Sequence, residues 1–124
     1  MLIGVAGMAG TLGRYGVSEL LARRYGGRLP LDTLFVNVAD CFAAGFLFHL
    51  LRDRLGAGET ASAAVLVGLL GGFTTFSAYG LQTFLLARGG WPGHAALYVV
   101  ATNLLGLLTV WAGYAAARLL APAA

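Results

Sequence analysis

The chain has no lysine. Its eight basic residues are all arginine, set against five acidic residues, so charged side chains make up only 10% of 124 residues. A soluble domain carries about 25%. Together with 59% hydrophobic residues and a mean hydropathy of +0.81, this deficit excludes a soluble globular domain and defines an integral membrane protein. The net charge of +3 is scattered over short loops, with no basic face and no groove of alternating basic and aromatic residues, which excludes a nucleic-acid binder. Cysteine is nearly absent: Cys41 stands alone inside an apolar run, so no disulfide framework exists and the redox compartment is not legible. No His/Cys cluster has the spacing of a transition-metal site. No nucleophile stands beside a base, and the expectation is that the protein is not an enzyme. The opening Met1-Leu2-Ile3-Gly4 lacks the basic start and cleavage site of a signal peptide.

What the chain does have is apolar length. Segments 2–22, 33–51, 62–87 and 95–117 are each long enough to cross a bilayer as a helix. The connections 23–32, 52–61 and 88–94 are short and marked by Gly26-Gly27, Pro30, Gly56, Gly58, Gly89-Gly90 and Pro92-Gly93, as tight turns require. The expectation is one all-α membrane domain over 1–124, with four transmembrane helices and both termini on the same side. Orientation follows the arginines of the flanking loops. The side of the termini carries Arg52, Arg54, Arg118 and the α-amino group, and the other side carries Arg23, Arg24, Arg28 and Arg88. So even a balance gives no instruction, and an antiparallel, dual-topology dimer is expected.

Segment 62–87 holds an anomaly, Gly71-Gly72-Phe73-Thr74-Thr75-Phe76-Ser77-Ala78-Tyr79. Adjacent glycines cost about 1 kcal/mol each in a helix interior, and a β-branched pair follows them. The segment's 26 residues would reach about 39 Å as a helix, more than a hydrocarbon core of about 30 Å needs. The spacing predicts a helix broken from Gly71 to Thr74, exposing backbone at mid-depth. Such backbone is tolerated only inside protein or beside a watery cavity, which makes it the foremost ion or substrate site. Carbonyls freed there suit a hard cation such as Na+. After the break, Phe76, Tyr79 and Thr83 follow at i, i+3 and i+7, and the positive edges of aromatic rings suit a small anion. Packing alone also explains such a stripe.

The other segments supply the surroundings. Glycines at 4, 7, 10, 13 and 16 form a slowly drifting ridge for close helix packing. Arg14, within the same segment, either snorkels to the interface or draws an anion into a vestibule. Asn37, Asp40 and Cys41 share one face of the second segment. An intramembrane carboxylate marks a functional site by default, against which stand a salt bridge to Arg14 or a protonated, hydrogen-bonded acid. His49, with no ligand partner at suitable spacing, reads as interfacial. Tyr98, Thr102 and Gly106 recur at i, i+4 and i+8 beside Asn103. They form either a track of hydroxyls or a set of bonds within the bundle. Trp91 and Trp111 read as interface anchoring and packing.

The run Gly71-Gly72-Phe73-Thr74-Thr75-Phe76-Ser77 resembles the signature of the CrcB/Fluc family of fluoride channels. The stretch Gly7 to Tyr15 and Thr33-Leu34-Phe35-Val36-Asn37, with Phe42 and Gly45, fit the same family in order. The resemblance implies an antiparallel homodimer of four-helix subunits with two fluoride pores and a central structural Na+ held by the carbonyls of Gly71 and Thr74. It implies a fluoride pathway along Phe76, Tyr79 (where the family's second phenylalanine stands), Asn37, Thr75, Ser77, Tyr98, Thr102 and Gln82 (often a carboxylate), with Arg14 in the vestibule. Gly106 replaces the track's next hydroxyl.

The largest departure is Asp40, in place of the family's glycine. It either pairs with Arg14 or approaches the Na+, or marks one half of a heterodimer with a degenerate pore, or changes the transported species. The expected function is passive export of cytoplasmic fluoride across the inner membrane. The alternatives are a proton-coupled small-molecule exporter using Asp40 and a pore-degenerate subunit paired with a paralogue. The expected partners are fluoride, lipid and a second copy.

Overall fold

The computed structural model describes residues 1–123. The regular structure of the described residues is helical: α1 (Leu2–Arg24), α2 (Leu31–Phe48) running on through a π-helical stretch His49–Arg54, α3 (Glu59–Ala63) continued by a second π-helical stretch Ala64–Leu69 into α4 (Leu70–Phe73), then α5 (Phe76–Arg88) and α6 (Pro92–Leu120). Proline at the first turn starts α6, where its missing N–H costs nothing and its fixed φ suits the helix. Gly90, at φ 85°, takes the left-handed conformation that turns the chain from α5 into α6.

Three of these helices are long and apolar enough to cross a membrane: Leu31–Arg54, Glu59–Arg88 with its interruption, and Pro92–Leu120. They mark a multi-pass membrane protein. The 23-residue α1 has the length but not the hydropathy, because Arg14, Glu19 and its glycines dilute the apolar residues.

Two glycine seams build the bundle. In the first, α1 lies against the stretch from Ala64 to Phe73. A Cβ on Gly10 would strike the carbonyl of Leu69, one on Gly72 the carbonyl of Gly7, and one on Gly68 would come within 2.8 Å of Ile3 O. Backbone meets backbone here, as the ridge predicts. Gly4 and Gly16 face open space, because a spacing of three drifts around a helix of 3.6 residues per turn. In the second seam α2 packs on α6, with Gly45 against Val110, Gly113 against Phe42 and Gly106 beside the Cys41 thiol. The hydroxyl of Thr109 donates to Val38 O at 3.2 Å.

The break is narrower than expected. Gly71 and Gly72 remain helical, and only Thr74 (φ −73°, ψ 160°) and Thr75 (φ −147°, ψ 106°) are extended. The glycines serve the approach to α1, and the β-branched pair, at ease in extended backbone, makes the interruption. Thr75 then caps α5, its hydroxyl accepting from Ala78 N at 3.2 Å.

His49 corrects another expectation. It is buried, 2% exposed. Its Nδ1 lies 3.0 Å from the Asp53 carboxylate one turn on and its Nε2 2.8 Å from Ala121 O. Tyr114 OH donates to the same carboxylate at 2.9 Å. The acid at i+4 was the partner the sequence reading overlooked, and the group ties the end of α6 to the end of α2.

Candidate functional site

The interruption in the third apolar segment is fixed by one side chain. Asn37 accepts from Thr75 N at 3.0 Å and donates to Thr75 O at 3.3 Å, so its amide satisfies both backbone groups of the extended residue. On the far side, the carbonyl of Gly72 accepts from Thr11 Oγ1 at 3.3 Å and from Arg14 Nε at 3.4 Å. Arg14 therefore neither snorkels free nor pairs with Asp40. It braces the last turn of α4, where the helix dipole concentrates negative partial charge and a cation is favoured.

The two helix ends at the break present opposite partial charges. At the α4 end, Gly71 O receives only the Thr74 hydroxyl at 3.5 Å, a Cβ on Gly71 would meet open space, and the carbonyl of Thr74 lies outside both helices. At the α5 end, Thr75 N and Ala78 N have their partners. The N–H groups of Phe76 and Ser77 point out of the first turn without an intrahelical acceptor.

An open groove of about 270 Å³ runs along this end, lined by Asn37, Cys41, Thr75, Phe76, Tyr79 and Thr102 among others. The Phe76 and Tyr79 rings lie 5.5 Å apart, and those of Tyr79 and Tyr98 5.4 Å apart. Phe76 is 83% exposed, an apolar ring left for lipid or another chain to cover. The Thr102 hydroxyl is buried with no hydrogen-bond partner among the described residues, so it bonds neither back to its own helix nor to a neighbour. Asn103 reaches the Tyr79 hydroxyl at 3.1 Å.

Behind the groove lies a second polar layer. Tyr98 OH donates to Gln82 Oε1 at 2.9 Å, and Gln82 Nε2 donates to Thr33 Oγ1 at 2.9 Å. Tyr98 is 1% exposed. Of the residues singled out from sequence, Asn37, Thr75, Phe76, Tyr79 and Thr102 meet in the groove, and Gln82 and Tyr98 join through this layer. Ser77 is exposed outside the groove's lining, and Arg14 attaches through Gly72. Thr83 bonds back to Tyr79 O at 2.8 Å. Thr33, Thr11 and the Asn103–Tyr79 contact were missed. Thr33 had a signal, since it stands four residues before Asn37 on the same helical face.

Asp40 stands apart. It is 5% exposed, its Oδ1 has no partner, and among the described residues it forms no ion pair. It does not line the groove. Of the alternatives for Asp40, the pairing with Arg14 is not formed, because that guanidinium bonds to Gly72 O.

Fold and site together define a helical membrane protein with an interrupted helix at a polar groove. The family described as "CrcB-like protein, Camphor Resistance (CrcB)" matches residues 1–114. The chain is 42% identical over 119 residues to a protein of Opitutus terrae, covering 94% of this chain and 90% of the other. It is 41% identical over 118 residues to one from Roseiflexus sp., covering 95% of each. A third, from Nitratidesulfovibrio vulgaris, is 38% identical over 120 residues, covering 96% of each. All three relatives bear the name "Fluoride-specific ion channel FluC", a channel and not an enzyme. The chain belongs to the CrcB family.

Proposed function

We propose that this chain is a fluoride-selective channel that lets cytoplasmic fluoride leave passively across the inner membrane. In this reading four spans per subunit, α1 included, assemble as an antiparallel dimer. The observation that carries the reading is the groove: two aromatic rings, an amide and an unpartnered hydroxyl beside the N-terminal end of α5, with no fixed cation to trap an anion. Such groups replace the hydration shell of a small anion without binding it too tightly to leave. The names of the relatives point the same way. Hydrogen fluoride enters an acid-bathed cell as a neutral molecule and ionises inside, and the trapped anion then needs a pore.

A structural Na+ fits the other side of the break. The carbonyls of Gly71 and Thr74 have no strong partner there, beside open space at Gly71 and at the negative end of a helix. Bound there, the ion would supply fixed positive charge between two copies. A second reading, a proton-coupled exporter, rests on Asp40, the unpaired carboxylate.

Fluoride efflux from liposomes holding only this purified polypeptide tests the proposal. The expected result is fluoride flux that requires a parallel path for charge, with chloride not carried. No flux from the chain alone would remove the channel reading and favour a non-conducting subunit of a heteromer. Proton-driven flux of an organic cation would favour the exporter.

A further inference from the structure

We infer that Arg28, held on Trp91, forms an anion-collecting mouth for the polar path, a subsite for small anions at the end of the bundle carrying the α1–α2 and α5–α6 connections. This inference rests on the fluoride-channel reading. The Arg28 guanidinium lies 3.3 Å from the centre of the Trp91 ring, a cation–π contact that pins a long side chain in one place. Among the described residues no carboxylate lies within ion-pairing distance of it, so its N–H edges are left for another acceptor. Arg23, nearby in sequence, is instead paired with Glu19 at 3.3 Å.

The position of Arg28 gives that free edge a purpose. Arg28 and Trp91 line a hollow of about 220 Å³ together with Pro30, Leu85, Leu86 and Gln82. Gln82 also belongs to the interior layer, bonded to Thr33 and Tyr98. From there the rings of Tyr98, Tyr79 and Phe76 follow at 5.4 and 5.5 Å. A continuous row of polar and aromatic groups thus joins the hollow to the groove at the break. A fixed cation at the mouth of a low-dielectric cleft concentrates anions there, and Arg28 does not line the groove at the break. Asp32 opposes this effect: it borders the adjoining hollow that Arg28 shares and carries the opposite charge.

Fluoride efflux from liposomes reconstituted with wild type, Arg28→Gln, Arg28→Lys and Trp91→Leu, measured across ionic strengths set by an impermeant salt, tests the inference. At about 10 mM, where the Debye length is about 30 Å, Arg28→Gln should lower flux by about tenfold, the low end of the range that focusing in clefts provides. At about 1 M, where that length is about 3 Å, Arg28→Gln and wild type should converge. Arg28→Lys should keep most of the wild-type salt dependence, and Trp91→Leu should fall between. Arg28→Gln matching wild type at every ionic strength, or lowering flux by the same factor at every one, overturns the mouth and leaves the channel reading standing. Absence of flux from the wild type overturns the channel reading itself.

Discussion

Asn37 and Asp40 stand one turn apart on α2, both polar, both deep in an apolar helix, and the bundle treats them oppositely. Asn37 offers a donor and an acceptor, and the backbone of Thr75 uses both. Asp40 offers no donor when ionised, and one of its oxygens meets nothing in the surrounding structure. The contrast shows why polarity inside a membrane is a weak guide to a site. An amide matches a peptide unit that has left its helix. A carboxylate needs donors, and Arg14, the partner weighed from the sequence, is spent on Gly72.

Converting the first residue into the second should break the site most severely. Asn37→Asp puts a charge beside the groove, and two unit charges about 4 Å apart repel by about 4 kcal/mol at an effective dielectric of 20. At about 1.4 kcal/mol per tenfold, fluoride efflux should fall by about three orders of magnitude. Efflux within tenfold of wild type would show that this amide does not face the ion. Asn37→Ala should act on stability instead. It strands the N–H and the carbonyl of Thr75, at about 1–3 kcal/mol for each buried group left unsatisfied. Thermal unfolding in detergent should shift down clearly, and an unchanged melting temperature would mean that something other than Asn37 holds the break. Phe76→Ile keeps an apolar surface but removes the ring edge. Flux should drop about tenfold, roughly the worth of one lost aromatic contact, while the protein's elution volume stays where it was. Equal flux would detach Phe76 from the ion path.

The same contrast explains what could be read in advance. The interruption was visible at Gly71 to Thr74 because glycine pairs and β-branched pairs are both poor helix interiors, but composition could not say which pair breaks. Gly72 is held helical by its contact with Gly7, a tertiary fact. The glycine ridge of α1 was legible from spacing alone, its partner was not. Phe76 and Tyr79 were legible as a stripe, whereas the Thr33–Gln82–Tyr98 layer joins residues from three helices whose register only packing decides. His49 failed for a simpler reason: Asp53, at i+4, was in plain view. Trp91 read as an interface anchor because aromatic residues usually are, and nothing local announced Arg28 above it.

Asp40→Gly should have the smallest effect. Removing a buried carboxylate with an unmet oxygen relieves about 1–3 kcal/mol. Placing glycine inside a helix gives back about 1 kcal/mol, and the emptied volume takes more. Stability should therefore move little. Flux should stay level or rise by up to about twofold, since any charge on Asp40 acts on fluoride only from outside the groove. Both are read in one preparation, by melting and by liposome efflux. A variant that melts normally but carries no fluoride would place Asp40 on the ion path after all. If the proposed dimer is lost, and is restored by Asp40→Glu and not by Asp40→Asn, the carboxylate holds a cation between two copies. Its unmet oxygen would then be a ligand waiting for the partner subunit. In that case the two residues on α2 would divide the labour as the two ends of the broken helix do, one toward the anion and one toward the cation.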